Sequence, residues 1–246
     1  IITTPKSKLD NKDLADQIFY MDESVGGRYS SSSAVGEVVL SLAFGHDYVE
    51  DILEGASELD QNALLENPKE NLSLMAALLE CYEQTILNTT AKAIIPYSYA
   101  LREFPAHLQQ LECESNGKSV TRKGEQVSQR TSSVIFGEPG TNAQHSFFQM
   151  LHQGTDIIPV QFILFSQPQT NQTSPLITSN HTKLNANALA QIKAFACGED
   201  NDDPNKQFNG NRPSTILYAK QLTPKILGAL LAFYENTVMF KGFLFN

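Results

Sequence analysis

Ser132-Ser133-Val134-Ile135-Phe136-Gly137-Glu138-Pro139-Gly140-Thr141-Asn142-Ala143-Gln144-His145 passes from an apolar, β-rich run, through Gly137, Pro139 and Gly140, into residues at helical spacing. A strand that hands over directly to a helix is the unit of a parallel sheet, because parallel neighbours need a crossover between them. We place the strand at 132–136 and the helix at 142–152. In such sheets ligands bind beyond the carboxyl ends of the strands. The turn is therefore a candidate site, with His145 in the first helical turn, where the helix dipole disfavours a positive ring. The competing reading is a capping or core histidine. His152, seven residues on, shares nearly the same face, but no third ligand has metal-binding spacing.

The same alternation extends outward. Residues 93–97, 157–165 and 214–219 read as strands, and 106–113, 184–197 and 224–234 as helices. Together they predict an α/β fold with a parallel sheet covered on both faces. Residues 198–213 are polar and read as an exposed loop. Before residue 91 the texture is helical, at 9–20, 31–44, 47–65 and 71–87; Val35, Val38, Val39 and Leu42 fall on one face of the second. A boundary near residue 90 follows, with 1–90 a helical segment and 91–246 the sheet-bearing domain.

The chain has 246 residues, 41% hydrophobic and 18% charged, enough for a large core. A net charge of −9 without a basic tract argues against nucleic acid. Cys81, Cys113 and Cys197 are odd in number and form no CxxC pair, so a disulfide framework or zinc ribbon is not expected and a cytoplasmic setting is. The longest apolar run, 157–165, contains Pro159 and Gln161 and is far short of the ~20 residues that cross a bilayer. No membrane partner is expected.

Two further segments could carry chemistry. Gly26-Gly27-Arg28-Tyr29-Ser30-Ser31-Ser32-Ser33 joins a turn that can approach a ligand closely to serines at a helix start and a fixed positive charge. The plain alternative is a Gly-Ser connector. In Gln110-Leu111-Glu112-Cys113-Glu114-Ser115-Asn116-Gly117-Lys118, Gln110 and Glu114 share a helix face. Gly117 would end that helix in the left-handed conformation. An amide beside a carboxylate suits a sugar hydroxyl and a proton transfer; the alternative is a Glu114–Lys118 surface pair.

Glu23-Ser24-Val25-Gly26-Gly27-Arg28-Tyr29-Ser30, Glu114-Ser115-Asn116-Gly117-Lys118 and Gly137-Glu138-Pro139-Gly140-Thr141-Asn142-Ala143-Gln144-His145 resemble, in order and spacing, the glucose-6-phosphate isomerase (phosphoglucose isomerase) family. Gln153-Gly154-Thr155, Gly210-Asn211-Arg212-Pro213 and Leu222-Thr223-Pro224 extend the resemblance over essentially the whole chain. It implies three-layer αβα sugar-isomerase domains, with 1–90 ending a first domain and 91–246 forming an incomplete second one. It implies a glycolytic and gluconeogenic isomerase that interconverts glucose 6-phosphate and fructose 6-phosphate with no metal or organic cofactor. Glu114 would move the proton, Arg28 stabilise the cis-enediolate, and Gln110 and Gly27 contact substrate. His145 would assist ring opening from the neighbouring subunit of a homodimer. The family's phosphate-gripping loop would lie upstream of Ile1. Its terminal block with a catalytic lysine would follow Asn246, so Lys241 is not that lysine and the chain reads as an internal fragment. Two other readings stand beside this one. A non-catalytic sugar-phosphate-binding module would need no proton-transfer base. A helical interaction domain at 47–88 would show an exposed apolar stripe.

Overall fold

The structure is a computed structural model that describes residues 1–170 and 174–245. Two short strands, β1 (Ile2–Thr3) and β2 (Phe19–Tyr20), pair in parallel near the start. A 3-10 turn, Gly27–Ser32, leads into α1 (Ala34–Phe44), α2 (His46–Ala63) and α3 (Leu72–Thr85). Then follow β3 (Ala91–Pro96), α4 (Phe104–Asn116), β4 (Val134–Phe136), α5 (Gly140–Ala143) and α6 (Phe148–Gln153). The chain continues with β5 (Val160–Phe165), α7 (Pro175–Cys197), β6 (Ser214–Ala219) and α8 (Pro224–Phe245).

β4, β3, β5 and β6 form one sheet in that order, every pair parallel. Alternation along the strands builds the two faces. Ile94, Ile163 and Phe165 pack against Leu108 and Leu111 of α4 and Phe233 of α8. Ala93, Ile95, Phe162 and Leu164 pack against Phe148 and Leu151 of α6 and Phe195 of α7. Helices, sheet and helices make three layers, as the alternation predicts.

α2 and α3 lie outside α4 and α8. α2 meets α8 backbone to backbone: a Cβ on Gly55 would stand 1.8 Å from the Lys225 carbonyl oxygen, and one on Gly228 1.8 Å from that of Ile52. α3 is inverted in polarity. Apart from Ala77, its buried residues are the polar Ser73, Glu80, Glu83 and Gln84, and it exposes Leu72, Leu79 and Tyr82, with Ile86 just past its end. An exposed apolar stripe of the kind the interaction-domain reading requires is thus present on this helix.

Four sequence expectations are corrected. Residues 9–20 are not a helix but turns leading to β2. Asn11 Oδ1 accepts from the Asp13 N–H (2.9 Å) and Asp10 carboxylate oxygens accept from the Lys6 N–H (3.2 Å) and Tyr20 hydroxyl (2.8 Å), which offers the backbone local alternatives to a helix. The helix expected at 142–152 breaks between α5 and α6. Phe147 turns onto Phe136 (ring centroids 5.0 Å apart) while Phe148 enters the core against Phe195 (5.6 Å). The helix expected at 184–197 begins at Pro175, where Ser174 Oγ caps Ile177 N–H (3.2 Å) and proline occupies the first turn. The helix expected at 224–234 runs on to Phe245. The 198–213 segment is largely exposed as expected, but Arg212 is buried, donating to the carbonyls of Gly154 (2.8 Å) and Asp156 (3.0 Å).

Candidate active site

α4 is positioned by its apolar face: Phe104, Leu108 and Leu111 enter the core, and Pro105 occupies the first turn, where its missing N–H costs nothing. Gln109 Nε2 donates to the Ile135 carbonyl (2.7 Å), and the Cys113 thiol reaches that of Ser133 (3.6 Å). α4 therefore runs antiparallel to β4, and its last turn lies level with the start of that strand.

That turn carries Glu114, half exposed, and opposite it stands the 3-10 turn with Arg28. Arg28 Nη1 donates to Glu114 Oε1 at 2.9 Å, and its Nε donates to Ser115 Oγ at 2.7 Å. Gln110 Nε2 donates to Glu114 Oε2 at 3.0 Å, so both carboxylate oxygens are held. Tyr29 places its hydroxyl 3.2 Å from Ser115 Oγ, and the guanidinium lies 5.3 Å from the centre of its ring. An exposed ion pair contributes little to stability. What this arrangement supplies is a carboxylate, an amide and a guanidinium fixed around one solvent-facing point. An open cavity of about 570 Å³ adjoins this point at Ser115, but Arg28, Gln110 and Glu114 do not line it; its wall is formed by Ser115, Lys118 and Arg122 with Met239 and Phe243 of α8.

Gly27 is exposed, and a Cβ there would meet nothing within 4 Å, so no contact in the chain demands glycine. The serines do not open a helix at residue 31; Ser33 caps α1 instead, accepting from Val35 N–H at 3.3 Å. Gly117 is not left-handed either. Its φ of −69° and ψ of 67°, with the Lys118 N–H donating to the Asn116 carbonyl at 2.7 Å, form an inverse γ-turn. Glycine is needed there because a Cβ would fall 2.3 Å from the Cys113 carbonyl oxygen. Lys118 Nζ binds the Glu114 backbone carbonyl (2.6 Å), so the alternative of a Glu114–Lys118 charge pair is not what forms.

His145 is exposed in the turn between α5 and α6, past the carboxyl end of β4, rather than in a helical first turn. It stands apart from Glu114, which lies level with that strand's start. His152 is half-buried against the core. Its ring stacks on Phe195 (4.0 Å, 7°), its Nε2 lies 3.1 Å from Gln191 Oε1, and burial pushes its pKa below the ordinary 6.5. Among the described residues no group of His, Cys, Asp and Glu is placed to hold a metal ion, and no helix is long and apolar enough to cross a membrane.

Sequence reasoning missed Ser115 and Tyr29 as partners, and missed a buried ionic cluster behind the site. Lys241 Nζ lies 2.9 Å from Glu80 Oε2 and 2.5 Å from Glu112 Oε1. Lys92 Nζ lies 3.0 Å from Glu80 Oε1 and 3.2 Å from Glu83 Oε2. Burial opposes ionisation of Glu80, but both ammonium groups outweigh it and hold the carboxyl at about 2. Glu112 and Glu83 face one ammonium each, and burial leaves them above 4.5. The signal was a lysine set in the apolar run Val238-Met239-Phe240-Lys241-Gly242-Phe243.

A family model described as phosphoglucose isomerase matches residues 4–246. The chain is 55% identical to the glucose-6-phosphate isomerase of Treponema denticola over 246 residues, all of this chain and 47% of that protein. It is 49% identical to the glucose-6-phosphate isomerase of Chlamydia pneumoniae over 98% of this chain and 46% of that one. A crystal structure of a glucose-6-phosphate isomerase from Chlamydia trachomatis superposes with a TM-score of 0.95 at 48% identity, covering 99% of this chain and 47% of that one. A hypothetical protein from Thermus thermophilus shares the fold, with a TM-score of 0.76 at 24% identity, covering 99% of this chain and 57% of that one. The chain spans about half the length of the curated relatives it matches. With the sheet, the Arg28–Glu114 turn and these matches in agreement, the chain belongs to the phosphoglucose isomerase family.

Proposed function

We propose that the full-length protein interconverts glucose 6-phosphate and fructose 6-phosphate through a cis-enediolate. The observation that carries this reading is the 2.9 Å contact between Arg28 and Glu114, 86 positions apart in sequence, on a solvent-facing turn. Glu114 takes the proton from C2. The C–H electron pair becomes the C1–C2 double bond, and the carbonyl π pair moves to O1. Glu114 returns the proton to C1, while the hydroxyl proton of O2 passes in net terms to O1. Charge developing on oxygen is met by the Arg28 guanidinium, a stabilisation that is strongest in the transition state. Gln110 and Gly27 contact the sugar, and His145 from the partner subunit of a homodimer opens the ring. No organic or metal cofactor takes part, and the setting is cytoplasmic. The 91–246 unit is a second sugar-isomerase domain and 1–90 the end of a first.

Glu114→Gln in the full-length protein keeps side-chain volume and removes the base. Turnover in a coupled assay falls at least ~10²-fold, with KM little changed. Near-normal turnover would remove Glu114 from the mechanism.

A further inference from the structure

We propose that the buried Lys241–Glu112–Asn116 cluster is a positioning device for Glu114, setting the rotation of the last turn of α4 so that the carboxylate faces the reacting carbons. The proposal rests on the reading of Glu114 as the base.

Residues 110 and 114 share one face of α4, and residues 112 and 116 share another, about 200° away. The first pair is exposed and the second buried. Lys241, fully buried, binds Glu112 Oε1 at 2.5 Å and is anchored in turn to α3 through Glu80. Asn116 Nδ2 donates to Glu112 Oε2 at 3.2 Å and to the Val238 carbonyl of α8 at 3.0 Å. The turn that presents Glu114 outward is therefore fastened from behind to α8 and α3 by directional bonds on either side of it in sequence. Apolar packing would stabilise this junction as well or better, since desolvating buried charges is costly. What ionic hydrogen bonds add is angular definition. Apolar contact is non-directional, whereas a hydrogen bond weakens as its donor turns out of line. The reaction is sensitive to a roll of the helix, because a displacement of about 1 Å at a reacting group can cost ~10²-fold.

The test uses the full-length protein and glucose 6-phosphate labelled with deuterium at C2. Three variants are compared with the unaltered protein: Asn116→Ala, Lys241→Met, and Lys241→Met combined with Glu112→Gln, which leaves neither of that pair charged. Read-outs are kcat, KM, Tm, and the fraction of label delivered to C1 rather than lost to water. That fraction is counted per turnover and does not depend on how much protein is folded. For Asn116→Ala we expect kcat about 10-fold lower, KM within about twofold, and the delivered fraction at least halved. In the double variant Tm recovers relative to Lys241→Met while kcat and the delivered fraction stay low. Should Lys241→Met not fold, Asn116→Ala and the double variant carry the test. Normal kcat and normal label transfer in both would overturn the proposal. Glu114→Gln is run in parallel. If it is inactive while those two variants are normal, only the positioning role fails; if it is active, the base assignment and the positioning role both fail.

Discussion

Glu235 is a carboxyl in a poor place. It lies on α8 with Oε1 buried and unpartnered, and burial together with Asp60 on α2 raises its pKa from 4.5 to about 7. Between those values the native chain holds a proton that the unfolded chain has released. Stability therefore falls as pH rises through that window, and the loss is complete above about 7. With partial solvent screening allowed, the cost is on the order of 2 kcal/mol. Glu235→Gln should raise Tm by about 5 °C at pH 8 and leave it unchanged at pH 4; an equal shift at both values would exclude this account. At the same scale, much of the site is legible in sequence. Arg28, Gln110 and Glu114 stand in short motifs whose residue types match the chemistry, and the structure brings them together. Lys241 and Glu112 were not legible as a pair, because 129 positions separate them and only the fold makes them neighbours. His145 lies outside a helical first turn, since two phenylalanines with different packing partners break the helix there.

The crossing of α2 on α8 turns on two glycines. A methyl group at either would stand 1.8 Å from a backbone oxygen of the other helix, and no side-chain adjustment relieves such a contact. Gly228→Ala should force the helices apart and lower stability by about 1–3 kcal/mol, a Tm loss of several degrees for a chain of this size. Gly27→Ala is the contrast. With open space around it, Tm should stay within about a degree, while KM rises if the substrate approaches that backbone. An unchanged Tm in Gly228→Ala would mean that the helices are not held at this distance. The strands of the main sheet were readable because their apolar runs are short and bounded: 214–219 coincides with β6, and 93–97 overlaps β3. The 9–20 segment was not readable, because its apolar spacing suits a helix while its Asp and Asn side chains capture the backbone in turns. α3 also hides its logic, since Glu80 and Glu83 point inward to the ion cluster while Leu72 and Leu79 face outward.

In the whole molecule, the two ends of the sheet hold different halves of the proposed chemistry. Arg28 and Glu114 lie level with the start of β4, and His145 follows its carboxyl end. A dimer that brings His145 of one subunit to Glu114 of the other would reconcile these positions. Full-length Arg28→Ala and His145→Ala proteins, each impaired alone, should regain activity when mixed under verified subunit exchange, because one composite site then holds both intact residues. Exchange without recovery would refute the cross-subunit role. The same long-range wiring bears on how the chain is made. Glu80, Glu83 and Glu112 leave the ribosome with Lys92 as the only ammonium of their cluster, and Lys241 follows Glu112 by 129 residues. At typical synthesis rates that gap lasts on the order of 10 s. Throughout it the nascent α4 carries Glu112 without its ammonium partner, and the bonds that fasten the turn bearing Glu114 to Val238 and Lys241 can form only once α8 has been synthesised.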